Sequence, residues 1–142
     1  MVLILNVTTL LAQWKRYTRH KAGISFSAYR ILALLEKSEG VASANIAAKL
    51  FLPTSRIAVG KNELIKKGLV RERVSKSDSR IKLLKCTKQG LHTLKELKEG
   101  MQELTECFYG PLSDDKIRML NAWHMRMCCE VEFADRAIQA LV

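Results

Sequence analysis

The apolar residues at the start of the chain recur at steps of three and four positions, which is the spacing of an amphipathic helix. This pattern predicts a helix from Leu3 to about Lys21, which Gly23 stops. A second helix follows, capped by Ser25 or Ser27 and carrying an apolar stripe along one side. The first part of the chain is therefore predicted to be helical.

Two further helices are predicted on either side of a turn that contains Pro53. Ser43 caps the shorter helix, and the longer one runs from about residue 55 to residue 67 and ends at Gly68. Proline disfavours a helical residue before it, which separates the two helices. A short helix, a tight turn and a second helix form a helix-turn-helix pattern.

The hydrophobic period then changes from that of a helix to that of a strand. Residues 69–74 and 80–86 alternate between apolar and polar types, and the polar segment 75–79 joins them. Two strands around a basic tip, directly after a helix-turn-helix, form the wing of a winged helix. The predicted fold class is therefore mainly α with a small β-wing (α+β).

Two long helices are predicted after the wing. Thr87 caps the first, which Gly110 and Pro111 end, and Ser113 caps the second. The second helix carries apolar residues from Ile117 to Leu141 at alternating steps of three and four. A seam of this kind packs against other helices.

Positive charge is concentrated in the helix-turn-helix and the wing. The chain has 24 lysines and arginines against 14 acidic residues, a net charge of +10. Residues 49–88 hold twelve basic and three acidic residues, whereas residues 89–142 hold six basic and nine acidic ones. A basic stretch often only solvates a surface, but on a helix-turn-helix it favours duplex DNA over a membrane surface.

Cysteine content and hydropathy indicate the compartment. The four cysteines include no C-x-x-C pair and are too few for the disulfide framework of a small secreted domain. The apolar residues 1–12 lack a basic segment before them and a small-residue cleavage site after them. No apolar run has the length of a membrane span. We expect a cytoplasmic protein with no membrane partner.

Two short motifs carry a family resemblance. The wing tip reads Asp78-Ser-Arg80, and the following helix begins with Thr87-Lys-Gln-Gly90. With the stretch from Leu64 to Arg73, these motifs resemble the MarR family of bacterial transcription regulators. The resemblance implies a homodimeric, sequence-specific regulator that binds a pseudo-palindromic operator in double-stranded DNA. Such regulators are commonly repressors released by a small aromatic ligand or by oxidation.

The resemblance also implies how the chain is organised. Residues 1–22 and 88–142 would form N- and C-terminal dimerisation helices, and residues 23–87 the winged helix-turn-helix, within one intertwined domain. Two alternatives remain at this point. One is a winged-helix module that binds an acidic protein, and the other is a regulator that senses oxidation through a thiol.

The second helix of the helix-turn-helix is expected to enter the major groove. At its start, Thr54 and Ser55 would hold a phosphate or cap the helix. Arg56 would contact a guanine edge, a phosphate or only solvent, and Asn62 an adenine edge or a phosphate. Glu63 is expected on the same exposed face as these residues.

The wing supplies a second set of candidates. By the family's pattern Asp78 shapes the tip and pairs with an arginine, while Arg80 reaches the minor groove or forms that ion pair itself. Lys76 is a further candidate at the tip, and Ser77 belongs to the same expected contact. Basic residues that would neutralise phosphates are Lys61, Lys66, Arg71, Arg73 and Lys82.

Three residues depart from the family's pattern. Val59 stands where an arginine is common and cannot make an arginine's contact. Gly60 lies mid-helix, where glycine costs about 1 kcal/mol relative to alanine. Cys86 stands where a leucine is usual. An unusual base preference or weakened DNA binding is expected from the first two.

Other chemistry is sparse. By family analogy, a ligand site is expected near Tyr17, His20 and Arg30. The sequence contains no nucleophile–base pair, phosphate loop or paired-carboxylate motif, so neither an enzyme nor a cofactor is predicted.

Metal binding and redox sensing have weak candidates. His124 and Cys128 have the i, i+4 spacing of a metal pair, but no further ligand accompanies them, so no metal site is predicted. Cys107 or Cys128 would be the reactive thiol of the redox alternative.

Overall fold

The computed structural model of this chain describes residues 2–75, 78–110, 113, 115, 116, 118 and 119. The chain divides into two compact units, Met1–Leu104 and Thr105–Val142. The helices are α1 (Val2–Ala22), α2 (Phe26–Leu35), α3 (Ser43–Leu50), α4 (Thr54–Lys66) and α5 (Lys88–Tyr109). The strands are β1 (Val41–Ala42), β2 (Val70–Val74) and β3 (Lys82–Cys86).

A glycine and a serine build the turn between α1 and α2. Gly23 follows α1 with a φ of 63°, a conformation that glycine adopts without a steric penalty. The Ser25 side chain then accepts a hydrogen bond from the backbone N–H of Ala28 and caps α2. Of the two serines predicted as caps, Ser25 is the one that acts.

Helix α3 begins differently from the prediction. Its N-cap is Ala42, and Ser43 is already helical, so the predicted Ser43 cap is wrong. The reason is strand β1, in which Val41 and Ala42 pair with Leu84 and Leu83 of β3. The chain therefore enters α3 directly from a strand.

The three strands form one antiparallel sheet in the order β1-β3-β2. Strands β2 and β3 pair along their whole length, from Val70 opposite Cys86 to Val74 opposite Lys82. Beyond their ends, the Ser75 N–H donates to the carbonyl of Ile81 at 2.8 Å. The mainly α fold with a β-wing is confirmed, and β1 is an addition to it.

One apolar cluster joins α2, α4, the sheet and α5. Ile31 and Leu35 of α2, Leu64 of α4, Leu84 of β3 and Leu94 of α5 are all fully buried in it. Burial of each such side chain contributes about 1.5–3 kcal/mol. One side of α4 is buried in this cluster. The opposite side of α4 therefore has a fixed orientation within the first unit.

Helix α5 starts at a side-chain cap. The Thr87 hydroxyl accepts a hydrogen bond from the N–H of Gly90 at 3.0 Å, as predicted. Further along α5, Leu94 and Leu97 are buried, whereas Leu91 is 42% exposed.

The predicted seam from Ile117 to Leu141 lies outside the described residues. The C-terminal part of the predicted dimerisation region therefore stays a prediction. Within the described part of the chain, no helix combines the length and the apolar character needed to cross a membrane.

Candidate nucleic-acid interface

Helix α4 is the second helix of the helix-turn-helix, and one of its sides is buried. Ile57, Gly60 and Leu64 form this side at three- and four-residue spacing. A Cβ at Gly60 would lie 2.8 Å from the Ile31 Cδ1 atom and 3.5 Å from the backbone of Ala28. The glycine that weakens the helix in isolation therefore allows α4 to pack closely on α2.

The other side of α4 is exposed. Ser55, Val59 and Asn62 follow one another at steps of four and three, so they share a face. Arg56 and Lys66 are also exposed next to this face. We call Ser55, Val59 and Asn62 the exposed strip of α4.

Glu63 does not belong to the exposed strip, and the prediction that it does is wrong. Its carboxylate accepts hydrogen bonds from the Ser25 backbone N–H at 3.0 Å and from the Ser25 hydroxyl at 2.6 Å. It also forms an ion pair with Arg19 at 3.0 Å, and its side chain is only 18% exposed. The donors at the start of α2 attract the carboxylate because a helix N-terminus favours negative charge.

Lys61 is also engaged inside the protein. Its Nζ lies 2.9 Å from Glu72 of β2, and its side chain is 24% exposed. The Lys82 ammonium approaches the other oxygen of Glu72 at 3.9 Å. Lys61 therefore ties α4 to the wing instead of presenting a free charge to a phosphate.

The start of α4 is capped by backbone alone. Pro53 is the N-cap, and its carbonyl accepts hydrogen bonds from the N–H groups of Arg56 at 2.9 Å and Ile57 at 3.1 Å. Thr54 and Ser55 are exposed residues of the first turn, so the alternative that one of them caps the helix is wrong. Thr54 and Ser55 lie in the first turn of α4, where the backbone N–H groups have no carbonyl partner within the helix.

A groove with a volume of about 330 Å³ adjoins the exposed strip. It is lined by Ser25, Ser27, Ser55, Arg56, Val59 and Gly60. Ser27 is a site residue that sequence reasoning misses, because a serine at the start of a helix is first explained as a cap. Arg56 lines the same groove.

The wing tip turns on Asp78. Its carboxylate accepts the backbone N–H of Arg80 at 2.9 Å, and its carbonyl accepts the N–H of Ile81 at 3.1 Å. Aspartate often bonds the backbone two residues further on, and this bond takes the place of the expected ion pair with an arginine side chain. Arg80 is exposed, and Lys76 and Ser77 lie outside the described residues.

The arginines of β2 lie on one face of the sheet. Because successive strand residues point to opposite faces, Arg71 and Arg73 project from the face opposite Glu72. Glu72 reaches Lys61 of α4, so both arginines lie on the face away from α4. Both are exposed.

The acidic residues of the basic segment 49–88 are bonded within the chain. Glu63, Glu72 and Asp78 each accept a hydrogen bond from a neighbouring residue, as described above. Among the described residues of the segment, the exposed basic ones are Lys49, Arg56, Lys66, Lys67, Arg71, Arg73, Arg80, Lys82 and Lys88. With twelve basic and three acidic residues, the segment keeps a large excess of positive charge, and most of its described basic side chains face solvent.

The residues predicted to bind a ligand have other surroundings. The Arg30 guanidinium donates to the carbonyl of Leu50 at 2.8 Å. The Tyr17 hydroxyl occupies the space that a Cβ at Gly100 would need, and His20 is exposed. A second cavity, of about 180 Å³, is lined by Lys21, Ala22, Lys67, Leu69, Gln89, Thr93, Glu96 and Leu97. Neither this cavity nor the groove includes the three predicted residues.

The described cysteines differ in accessibility. Cys86 is buried, and its Sγ lies 3.8 Å from the carbonyl oxygen of Leu69. Burial raises the pKa of the Cys86 thiol, and the charge of Glu36 raises it further. Cys107 is exposed, and Cys128 lies outside the described residues. The described residues contain no group of three side chains able to hold a metal ion.

The winged helix of this chain matches a protein-family model. The model described as MarR family matches residues 22–81, from the end of α1 to the wing. The matched segment belongs to the MarR family. The resemblance predicted from the sequence is confirmed, and the chain has the fold of MarR-family transcriptional regulators.

Solved MarR-family structures share this fold. A MarR-family regulator from Rhodococcus sp. RHA1 is 21% identical, with a TM-score of 0.78 over 89% of each chain. CouR from Rhodococcus jostii RHA1, solved with p-coumaroyl-CoA bound, is 23% identical, with a TM-score of 0.78 over 89% of this chain and 88% of CouR.

A third structure contains nucleic acid. Sco3205, a MarR-family transcriptional regulator from Streptomyces coelicolor, was solved in complex with DNA. It is 23% identical to this chain, with a TM-score of 0.80 over 91% of this chain and 82% of Sco3205. A comparison with curated proteins gives no match.

Both MarR-family motifs of this chain have a physical explanation. Asp78 and Arg80 form the wing turn through a backbone hydrogen bond. In the second motif, Thr87 caps α5, and a Cβ at Gly90 would collide with the Leu69 carbonyl oxygen. MarR-family proteins regulate transcription, in agreement with the prediction that the chain is no enzyme.

Proposed function

We propose that this protein is a cytoplasmic, sequence-specific DNA-binding transcriptional regulator, with α4 in the major groove and the wing at the adjacent minor groove. The observation that carries the proposal is the exposed strip of α4 on a segment whose acidic residues are all bonded within the chain. The segment holds twelve basic and three acidic residues, and the phosphate backbone of DNA attracts such an excess of positive charge.

Each polar residue of α4 has a proposed contact. The Asn62 amide can bond an adenine edge bidentately. Arg56 lies beside the groove that Ser27 lines, where it would hold a phosphate or a guanine edge. Thr54 and Ser55, at the start of the helix, would bind a phosphate with hydroxyl and backbone N–H groups.

The wing supplies a second contact. Asp78 holds the turn, and the exposed Arg80 would enter the minor groove, whose narrow A·T stretches attract arginine. Lys76 and Ser77, which precede Asp78 in the sequence, would contribute to the same contact. Arg73 would neutralise a phosphate from the sheet face away from α4.

A homodimer is part of the proposal. Residues 1–22 and 88–142 would form the dimerisation region around the winged helix-turn-helix of residues 23–87. The heptad spacing of residues 117–141 supports this arrangement. A two-fold dimer presents two α4 helices and so matches a pseudo-palindromic operator. Sedimentation should give twice the chain mass of 16.1 kDa, and a monomer that binds DNA would contradict the dimer.

We further propose repression that a small aromatic ligand relieves. The p-coumaroyl-CoA bound to CouR supports a small-molecule effector for this chain as well. In the presence of such a ligand, the affinity for the operator should fall while the chain stays folded. Aromatic acids and their thioesters are the first compounds to test, by fluorescence anisotropy with labelled operator DNA.

The DNA-binding proposal is tested by selecting duplexes from a library with a random central segment. The protein should enrich a sequence with two-fold symmetry, and its affinity for that sequence should exceed that for unrelated DNA by about 10³-fold or more. Asn62→Ala should relax the preference at one position of each half-site. The matched control is Gln102→Ala, on the exposed side of α5.

Two results would contradict the proposal. One is the absence of any enriched sequence at low salt. The other is an enriched sequence that binds Asn62→Ala and the wild-type protein with the same affinity and the same base preference.

A further inference from the structure

An apolar side chain occupies a central place on the exposed strip of α4. Val59 is 67% exposed, although the polar residues Ser55 and Asn62 lie one turn before and one turn after it. Single exposed apolar residues are common on protein surfaces and need no explanation in themselves. What distinguishes Val59 is its position among the residues that the proposed function assigns to DNA.

The orientation of Val59 is fixed by contacts on the other sides of the helix. Gly60 packs against α2, where even a Cβ would approach Ile31 to 2.8 Å. Glu63 bonds Ser25 on one flank, and Lys61 bonds Glu72 on the other. A helix held on three sides cannot rotate, so Val59 stays on the outward side.

The chemistry of valine limits what it can recognise. It has no donor or acceptor, so it cannot read the hydrogen-bonding edge of any base. In the major groove the 5-methyl group of thymine is the apolar feature that distinguishes one base from the others. The branched side chain is also restricted in its rotamers, so ordering it on a base edge has a small entropic cost.

We infer that Val59 reads the 5-methyl group of a thymine in each half-site and is a specificity-determining residue of this protein. The inference rests on the proposed function, because it requires α4 to lie in the major groove. Ser55 and Asn62 on either side would hold the flanking backbone or base edges. Val59 would then select thymine over cytosine at a position where no hydrogen bond is made.

The test replaces each thymine of the selected operator by uracil, one symmetric pair at a time. Uracil lacks only the 5-methyl group and keeps every hydrogen-bonding atom of thymine. At the position that Val59 contacts, the affinity should fall about fourfold per half-site, the equivalent of about 0.8 kcal/mol for one buried carbon group. Other thymines should tolerate the replacement.

The Val59→Ala variant, measured with the same thymine and uracil operators, completes a double-mutant cycle. This variant should bind the thymine operator more weakly than the wild-type protein and should bind thymine and uracil operators equally. Ile65→Ala, a truncation of a less exposed residue of the same helix, should keep the difference between thymine and uracil. Circular dichroism of each variant confirms that the helix is intact.

The outcomes separate the inference from the proposed function. Failure to bind any selected duplex overturns the proposed function, and the inference with it. Specific binding with no thymine sensitive to uracil overturns the inference alone. Sensitivity that persists unchanged in Val59→Ala also overturns it, because another residue would then contact the methyl group.

Discussion

The carboxylate of Glu63 accepts two hydrogen bonds from Ser25, one from the backbone N–H at 3.0 Å and one from the hydroxyl at 2.6 Å. The same hydroxyl accepts the N–H of Ala28 and caps α2. Ser25 therefore both caps α2 and holds Glu63 of α4 in place. This relationship keeps the exposed strip of α4 facing outward.

Removal of the Glu63 carboxylate should destabilise the fold. Glu63→Ala leaves the donors of Ser25 without their acceptor, and hydrogen bonds to a charged group contribute about 1.5–3 kcal/mol. We expect a loss of about 2 kcal/mol in the free energy of unfolding, measured by urea denaturation. Glu103→Ala, an exposed position of α5, is the matched control and should change the free energy by less than about 0.5 kcal/mol. Equal losses in both variants would contradict this assignment.

Gly90→Ala should be destabilising although alanine favours helices. Relief of the helix penalty would gain about 1 kcal/mol, but the new Cβ would collide with the Leu69 carbonyl and lie 2.9 Å from the Cys86 Sγ. Overpacking of this kind costs about 1–3 kcal/mol or more when backbone must move. We therefore expect a lower melting temperature. His92→Ala, an exposed position of the same helix, should leave the melting temperature nearly unchanged, and a stabilised Gly90→Ala would refute the close approach of α5 to the Leu69 carbonyl.

The two described cysteines should differ in reactivity. Burial raises the pKa of Cys86, so at neutral pH its thiol holds even less reactive thiolate than an ordinary cysteine. Brief labelling with N-ethylmaleimide, followed by peptide mapping, should modify the exposed Cys107 and spare Cys86. Cys86 should react only when urea unfolds the chain. Rapid modification of native Cys86 would contradict its burial.

The sequence predicted the elements well where a periodic pattern or a turn residue specified them. The end of α1 at Gly23, the cap at Thr87 and the β2–β3 hairpin all follow from local chemistry. Strand β1 could not be predicted from the sequence. Val41 and Ala42 are too short a segment to show a hydrophobic period, and they pair with a strand some forty residues away. The Ser43 cap failed for the same reason.

Within the site, the exposed face of α4 could be predicted from the sequence. The hydrogen bonds and ion pairs of the residues beside that face could not. The candidates Ser55, Arg56 and Asn62 are exposed on α4, whereas Ile57 and Leu64 are buried. The sequence could not show that Glu63 and Lys61 are bonded to Ser25 and Glu72, because those partners come from other elements. Long-range ion pairs of this kind leave no local pattern.

The basic face formed by α4 and the wing is the surface proposed to bind duplex DNA. The most direct test is the dependence of binding affinity on salt concentration, since the slope of log K against log salt changes by about 0.9 for each phosphate contact. The variant to compare with the wild-type protein carries glutamine at the exposed positions Arg56, Arg80 and Lys82.

The matched control removes the same number of charges elsewhere, with glutamine at the exposed positions Lys15, Arg16 and Lys95. On the selected operator, the slope of the first variant should fall by about 0.9 for every lost contact in each protomer, while the control keeps the wild-type slope. Equal slopes for the wild-type protein and the first variant, or a larger change in the control, would contradict the account.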